Sequence, residues 1–524
     1  MKCIWTILIL FILLPVVVQA EDRWNIKTEE NYQVYIDASV DSLKLLEGTE
    51  VNIYETTGIV SDFFVIDVEG TVGYISIEQA TSIFEQDVSN FKVVEETVPY
   101  YTKQKGNLVQ RGTIAKDMVL TRTKALEGYH EFQNGGELFY IPEASTIPTS
   151  EKPIAQKNKQ VTYPMRLYNR IEAPVFNDKN IQIGSLVAGQ SVDLLHLSNS
   201  KGVISFLGQE AQINMKDFVH IDLLKPKKIL SYEEMTYFLQ VISLLYPEFT
   251  KLAPIGKSVE GKIIYAMRIG NGKKEVLLDA SMHAREHMTT NVLAEMIDTY
   301  SIHYENKSIY AGYNVRNTLD QTSIWFVPMM NPDGVTLVQS GAKSLKYGSL
   351  ATKINGSSNF NRWKANIRGV DLNDNFSSKW EKIKGGNKKP AYMAYKGPSA
   401  FSEPEAKALR EFVKNHAFKT YISYHSSGQI MYWFNYQKPA QMKRDKTLAS
   451  GLSKMTGYKV MPPQYLPGSG SSADWFIQQT KMPGITLEIS PYIGEKPVPL
   501  EKWEAIWRQN NKVGLYLALE ASKR

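Results

Sequence analysis

Three places in this 524-residue chain set ionisable side chains at the ends of apolar runs. The run 275–280 (EVLLDA) leads into Ser281-Met282-His283-Ala284-Arg285-Glu286-His287, and the run 420–424 leads into His425-Ser426-Ser427-Gly428. The run 484–490 carries Glu488 between Leu487 and Ile489. In an α/β sheet, ligands gather at the C-terminal ends of strands. Two imidazoles and one carboxylate collected there, with a fourth position open to water, make the usual shell of a catalytic zinc ion. The metal draws the pKa of a water towards neutrality, and a separate glutamate can accept the proton. Taken alone, a histidine at a strand end is ordinarily a hydrogen-bonding core or surface residue. A glutamate inside Ile-Thr-Leu-Glu-Ile is less ordinary: burying an unpaired carboxylate is costly, so Glu488 asks for a charged or metal partner.

The elements that must position these groups are legible in the periodicity. Residues 231–245 (SYEEMTYFLQVISLL) carry a helical apolar stripe behind Ser231, with Glu234 three residues on as a capping box. Beyond them apolar strands at 275–280, 323–330, 420–424 and 484–490 alternate with helices at 290–304 and 402–416. Ser402 and Glu405 read as a second capping box, with Pro404 in the first turn. Such alternation predicts an α/β domain over 228–520 around a largely buried, mixed central sheet flanked by helices.

Residues 22–224 have another texture, with short runs rich in Val, Ile, Tyr and Phe broken by Gly, Asn, Asp and Ser. Three passages repeat weakly, within 32–81, 95–145 and 165–222. Each holds a short strand, a polar turn, an x-Leu-x-x-Gly step into a second strand, and a closing strand. They resemble tandem bacterial SH3-like barrels, small all-β domains that often hold secreted enzymes near the cell wall; generic β spacers are the plainer reading. The Ser-, Thr-, Lys- and Pro-containing stretch 146–164 reads as a linker.

The residues of the C-terminal half resemble the zinc carboxypeptidase A family. The resemblance lies in His283-x-x-Glu286 after a strand, Asn331-Pro332-Asp333-Gly334, Gly369-Val370-Asp371-Leu372-Asn373, His425-Ser426 and Glu488 in Thr-Leu-Glu-Ile, in the family's order. It implies one zinc ion held by His283, Glu286 and His425, with Glu488 as general base and acid on the water. It further implies that Asp371 orients the His283 imidazole, that Arg285 lines the substrate cleft, and that Tyr465 belongs to the mobile tyrosine loop. His283-x-x-Glu286-His287 also spells the inverzincin signature. That reading needs a helix and a further downstream glutamate; the motif follows a strand and turn instead, 306–380 contains no glutamate, and His287 is read as structural.

This chain departs from the family at the substrate end. Carboxypeptidases place Asn-Arg after Gly-Val-Asp-x, the arginine gripping the terminal carboxylate with two hydrogen bonds. Here the pair is Asn373-Asp374, and an acid can hold an ammonium but not clamp a carboxylate. The oxyanion-stabilising arginine falls at Lys364, with Arg368 as a second candidate; lysine supplies the charge but not the fork. The tyrosine loop is one residue longer than in the digestive enzymes, and Ala473 stands where a charged or bulky residue sets side-chain preference. The Asn-Asp pair resembles the γ-D-glutamyl-diamino acid endopeptidases, which implies a peptide or muropeptide substrate carrying an extra ammonium. An ordinary carboxypeptidase and a non-catalytic cell-wall binding protein are the alternatives; the second usually lacks a ligand or the base, and all four residues are present here.

Composition sets the frame. The chain is 43% hydrophobic and 22% charged with a net charge of +6, ordinary for a globular protein. No Lys/Arg block marks a nucleic-acid footprint. Cys3 is the only cysteine, which rules out an internal disulfide framework. Residues 1–20 pair Lys2 with an apolar run interrupted by Pro15 and end in Val18-Gln19-Ala20, the pattern of a cleaved signal peptide. The expectation is a secreted or cell-wall-associated protein without stable membrane insertion after cleavage, its SH3-like domains available to a cell-wall polymer.

Overall fold

The computed structural model describes residues 23–85, 89–134, 137–153, 163, 165–225 and 227–524. The signal-peptide expectation for residues 1–20 lies outside them. Among the described residues no helix is long and apolar enough to cross a membrane. The described residues divide into two compact units: those within 1–160, 171–190 and 203–213, and those within 161–170, 191–202 and 214–524.

The first unit is built of antiparallel strands, as its short β-branched and aromatic runs dictate. One seven-stranded sheet runs in the order Lys44–Gly48, Tyr32–Tyr35, Thr71–Ser76, Phe63–Val68, Ile53–Val60, Trp24–Thr28, Ala80–Ile83. Alternate residues point inward, and Trp24, Ile26, Tyr32, Val34, Phe64, Ile66 and Ile75 form its core. A second set pairs Ser89–Val93, Val119–Leu126, Tyr129–Asn134 and Glu137–Pro142 in succession, and Thr97–Gln104 with Asn107–Ala115. The stretch read as a linker begins inside this set: Thr146–Pro148 pairs with Ser89–Val93, and Lys92 donates to Glu151 at 2.6 Å. The third repeat is shared, since 171–190 and 203–213 cluster with the first unit and the rest with the second.

The second unit carries a mixed sheet in the order Thr250–Lys257, Ile263–Ala280, Thr420–Ser426, Gly484–Ile489, Ile430–Tyr432, Lys459–Val460, with Thr322–Val327 also pairing to Ile263–Ala280. The strand expected at 275–280 is therefore the last third of an 18-residue strand, whose first part runs antiparallel to Thr250–Lys257. Its end, Thr420–Ser426 and Gly484–Ile489 are parallel neighbours, so their C-terminal ends coincide. That register makes His425 and Glu488 direct partners across two strands. Helices cover the sheet. Tyr232–Leu245 has the expected capping box, Ser231 accepting from the Glu234 amide at 3.1 Å while Glu234 accepts from the Ser231 amide at 2.9 Å.

The second expected capping box does not form. Pro404 takes the first position of the helix Pro404–Lys414, so the cap falls on Glu403, whose side chain makes no capping bond. Ser402 instead donates to Glu403 and accepts from Asn375, while Glu405 turns inward to the Val259 amide. Proline's fixed φ and missing N–H set the first turn here, overriding the Ser-x-x-Glu pattern.

Candidate active site

Immediately after the strand Ile263–Ala280 the chain breaks through Ser281, a non-glycine residue at φ 50°, into a single turn Ala284–Glu286. Buried hydroxyls hold that turn: Thr289 accepts from the Ser281 amide at 2.9 Å and donates to the Glu286 carbonyl at 2.7 Å, while Thr290 donates to the Pro328 carbonyl at 2.6 Å. The Asn331-Pro332-Asp333-Gly334 motif is the clamp behind it. Asn331 caps the helix Pro332–Ser340 through the Gly334 amide, and its own NH2 donates to the carbonyls of Met282 and Ala365. A side chain at Gly334 would meet Asn331 Oδ1 at 2.6 Å and Ala284 at 2.8 Å. One asparagine thus joins the loop bearing His283 to the loop bearing Lys364.

Three buried ligand-type atoms converge on one point. Glu286 Oε1 lies 3.0 Å from His283 Nδ1, Glu286 Oε2 3.0 Å from His425 Nδ1, and the two Nδ1 atoms 2.9 Å apart. Asp371 faces the far nitrogen of His283 (Nε2–Oδ1 3.0 Å) and thereby places the proton on Nε2, leaving a lone pair on Nδ1. Ser423 does the same service for His425 through Nε2 at 3.1 Å. Two lone-pair nitrogens and a carboxylate within 4.8 Å of one another repel unless a cation stands between them. This donor set fits a divalent ion with mixed nitrogen and oxygen preference, as zinc has.

Charge is dense around the point. Burial opposes ionisation of Glu286, but His283 and then His425 hold its carboxyl well below the usual range. Burial likewise works against Lys364, yet Asp371, Glu286, Asp374 and Glu488 together hold its ammonium above its ordinary value; Lys364 Nζ lies 3.8 Å from Asp371 Oδ2. Asp371 is held below the carboxylate range by Lys364 and His283 despite its burial, and it also accepts from the amides of Ala394 at 3.0 Å and Asn373 at 3.3 Å. Burial pushes Glu488 up to about 7, with help from the Glu286 charge and opposition from His425, Lys364 and Arg285. Asp374 is also lifted to about 7, by burial and then by Asp371.

A cleft of about 290 Å³ opens on this group, lined by His283, Lys364, Asn373 and Glu488 among others. Asn373 fastens its wall, accepting from the Ser472 amide at 3.0 Å. The other expected substrate residues stand off it. Arg285 donates to the Arg362 carbonyl at 2.8 Å, Asp374 is half-buried with its backbone against Gly470, and Tyr465 is 68% exposed, packed edge-on against Phe434 and Tyr436. Arg368 faces Glu403 at 3.7 Å and does not line the cleft. His287 is buried at the start of the helix Met288–Glu305, where burial pulls its pKa to about 4. The sequence reading passed over Ser378, Asn435 and Asp474, which also line the cleft. Asp474 directly follows Ala473, but the helix face it occupies depends on the Ser471 cap that starts Ser472–Thr480.

Residues 235–505 match the family model described as zinc carboxypeptidase. The chain belongs to the zinc carboxypeptidase family. It is 34% identical over 292 residues to gamma-D-glutamyl-L-diamino acid endopeptidase 1 of Lysinibacillus sphaericus, covering 55% of this chain and 71% of that protein. An uncharacterised protein of Bacillus subtilis (strain 168) is 29% identical over 270 residues, 51% of this chain and 71% of the other. Carboxypeptidase B of Rattus norvegicus is 27% identical over 282 residues, 50% of this chain and 63% of the rat protein. As a member of this family the protein is a metallopeptidase, and the carboxypeptidase-like fold follows the all-β N-terminal region.

Proposed function

We propose that this zinc carboxypeptidase-family protein is a secreted endopeptidase that cuts γ-D-glutamyl–diamino acid bonds in cell-wall peptides. The observation that carries the reading is Asn373-Asp374: where the carboxypeptidase pattern carries the arginine that grips a terminal carboxylate, this chain carries a half-buried acid. A substrate need not end at the residue after the cut, and a free α-carboxylate gains nothing there. The 34% identity to an endopeptidase of γ-D-glutamyl-L-diamino acid substrates supports the same assignment. Secretion rests on the leader pattern of residues 1–20, and attachment to a wall polymer on the SH3-like repeats.

His283, Glu286 and His425 would hold the zinc. When bound, the ion supplies Lewis acidity, drawing the pKa of a water towards neutrality and polarising the scissile carbonyl. Glu488, lifted to about 7, is matched to take a proton from the attacking water near neutral pH and to return it to the leaving amine nitrogen. Lys364, cationic and lining the same cleft, stabilises the negative charge that develops on the carbonyl oxygen. Asp371 keeps His283 in the ligating tautomer and Lys364 in place.

Digestion of defined muropeptides, followed by mass spectrometry, tests the reading. Release of fragments beginning with the diamino acid is the expected result. Release of C-terminal α-linked amino acids alone would assign an ordinary carboxypeptidase instead, and no hydrolysis by zinc-loaded protein would leave a binding role.

A further inference from the structure

A γ-linked glutamyl residue differs from an ordinary peptide residue by one charge next to the cut. Its side-chain carboxyl forms the scissile bond, so its α-carboxylate stays free, a few bonds from the carbon that is attacked. An α-linked peptide carries no anion there. A cleft that reads this difference needs a cation that no protein carboxylate already neutralises. Lys364 and Lys379 are the only lysine or arginine residues lining the cleft. Lys364 faces Asp371 at 3.8 Å and serves the reacting carbonyl. Lys379 is exposed and enters no ion pair among the described residues; its ammonium lies over the face of Tyr436, 4.1 Å from the ring centroid. A tyrosine ring holds an ammonium in place without cancelling its charge.

The backbone beneath this pair separates it from a surface lysine that happens to lie near a ring. Lys379 and Tyr436 both stand in the left-handed region, at φ 53° and 52°, though neither is glycine or asparagine. Such backbone persists only where its surroundings over-determine it, and it gathers at ligand-binding sites. The surroundings are on both sides of the pair. Under Lys379, the Ser469 amide donates to the Ser378 carbonyl at 2.8 Å and the Lys382 amide to the Lys379 carbonyl at 2.9 Å. A side chain at Gly468 would come within 2.3 Å of that same carbonyl oxygen, so the bare α-carbon is what lets the two loops close together. Under Tyr436, the phenol donates to the Leu466 carbonyl at 2.6 Å, and the ring packs against Phe434 and Tyr465. A lysine held on a fixed platform loses less freedom when an anion arrives than one waving in solvent.

We infer that Lys379, held on Tyr436, is the specificity-determining receptor for the free α-carboxylate of the γ-linked glutamyl residue on the acyl side of the cut. This rests on the endopeptidase reading and names the group that tells a γ-glutamyl bond from an α-peptide bond.

The test uses the full-length, zinc-loaded protein and two pairs of ligands that differ only in that carboxylate. The kcat/KM values compare L-Ala-γ-D-Glu-L-Lys-D-Ala with the same peptide carrying an α-carboxamide, and calorimetry compares the dipeptides L-Ala-D-Glu and L-Ala-D-isoglutamine. The wild type should favour the α-carboxylate by at least ~10-fold in both assays, and Lys379→Gln should bring both ratios within about twofold. Lys379→Arg, which keeps the charge and the ring contact, should retain most of the preference. A preference that survives Lys379→Gln, or that is absent from wild-type binding, overturns the inference. If Lys379→Gln does not fold, the salt dependence of the wild type decides. Raising NaCl from ~0.1 M to ~0.5 M should shrink the binding ratio, because the ammonium is exposed to counterions; an unchanged ratio overturns the inference. Failure to cut any γ-D-glutamyl bond would refute the endopeptidase reading, while the dipeptide binding ratios would still judge the subsite.

Discussion

Removing the Asp371 carboxylate is the perturbation whose consequences the structure defines most fully. Its two oxygens serve four partners: Oδ1 takes His283 Nε2 at 3.0 Å and the Asn373 amide at 3.3 Å, and Oδ2 takes the Ala394 amide at 3.0 Å with Lys364 Nζ at 3.8 Å. Every partner is a donor. Asp371→Asn keeps the shape but has one acceptor oxygen. With that oxygen towards His283, its NH2 opposes the Ala394 N–H; turned round, it opposes His283 and Asn373 together. The first orientation leaves fewer groups unmet, so His283 keeps its tautomer and the loop around Ala394 loosens. Asp371→Ala removes the acceptor altogether and frees His283 to rotate or to place its proton on Nδ1, which then cannot ligate. Loss of such a partner costs ~10–100-fold in metal affinity, or about 1.4–2.8 kcal/mol at 1.4 kcal/mol per tenfold. Asparagine should fall at the low end and alanine at the high end. Zinc affinity measured by competition with a chromophoric chelator at pH 7.5 checks both. An Asp371→Ala protein that binds zinc within threefold of wild type would refute the orienting role.

Other expectations follow from the same contacts. Glu488→Ala should retain zinc, because Glu488 is not among the three converging residues, yet lose ~10²–10⁴-fold in turnover as expected for a missing general base; single-turnover rates with metal analysis check both halves. Activity should fail as pH drops, since Glu488 must be ionised to accept a proton: its pKa of about 7, lowered further by a bound cation, puts the acid limb of kcat/KM at or below 7. Zinc affinity should weaken over pH 8 to 6, because the proton on His283, whose pKa is held up by Glu286 against burial, competes with the metal; calorimetry in buffers of different ionisation enthalpy should record proton release. Asn331→Ala removes a helix cap and two buried bonds and should cost about 2–4 kcal/mol in urea unfolding.

What could be read from sequence follows from how local each signal is. The capping box at Ser231 forms because both of its bonds lie within one turn. The similar box at Ser402 does not, because Pro404 fixes the first turn and three-dimensional neighbours claim the side chains. The apolar runs at 275–280, 420–424 and 484–490 announced buried strands, but their shared register, which sets His425 opposite Glu488, is a non-local property that no run contains. The same holds for Asp474. Its type is visible in the sequence, yet its orientation depends on the Ser471 cap that starts its helix.

The substrate end and the metal end of the site differ in how they use acids. At the metal end, Glu286 and Asp371 lie against His283, His425 and Lys364, and both carboxyls are held ionised in spite of full burial. Their charge is fixed before any ligand arrives, which is what holding a cation and orienting its ligands requires. At Glu488, Asp374 and Asp474, by contrast, desolvation outweighs the neighbouring charges and hydrogen bonds, and each is pushed up instead. An acid in that state responds to what enters the cleft, as Glu488 does to the proton of a water. The difference lies in the partners each carboxylate is given, so the same site holds carboxylates that stay charged beside one that can exchange a proton.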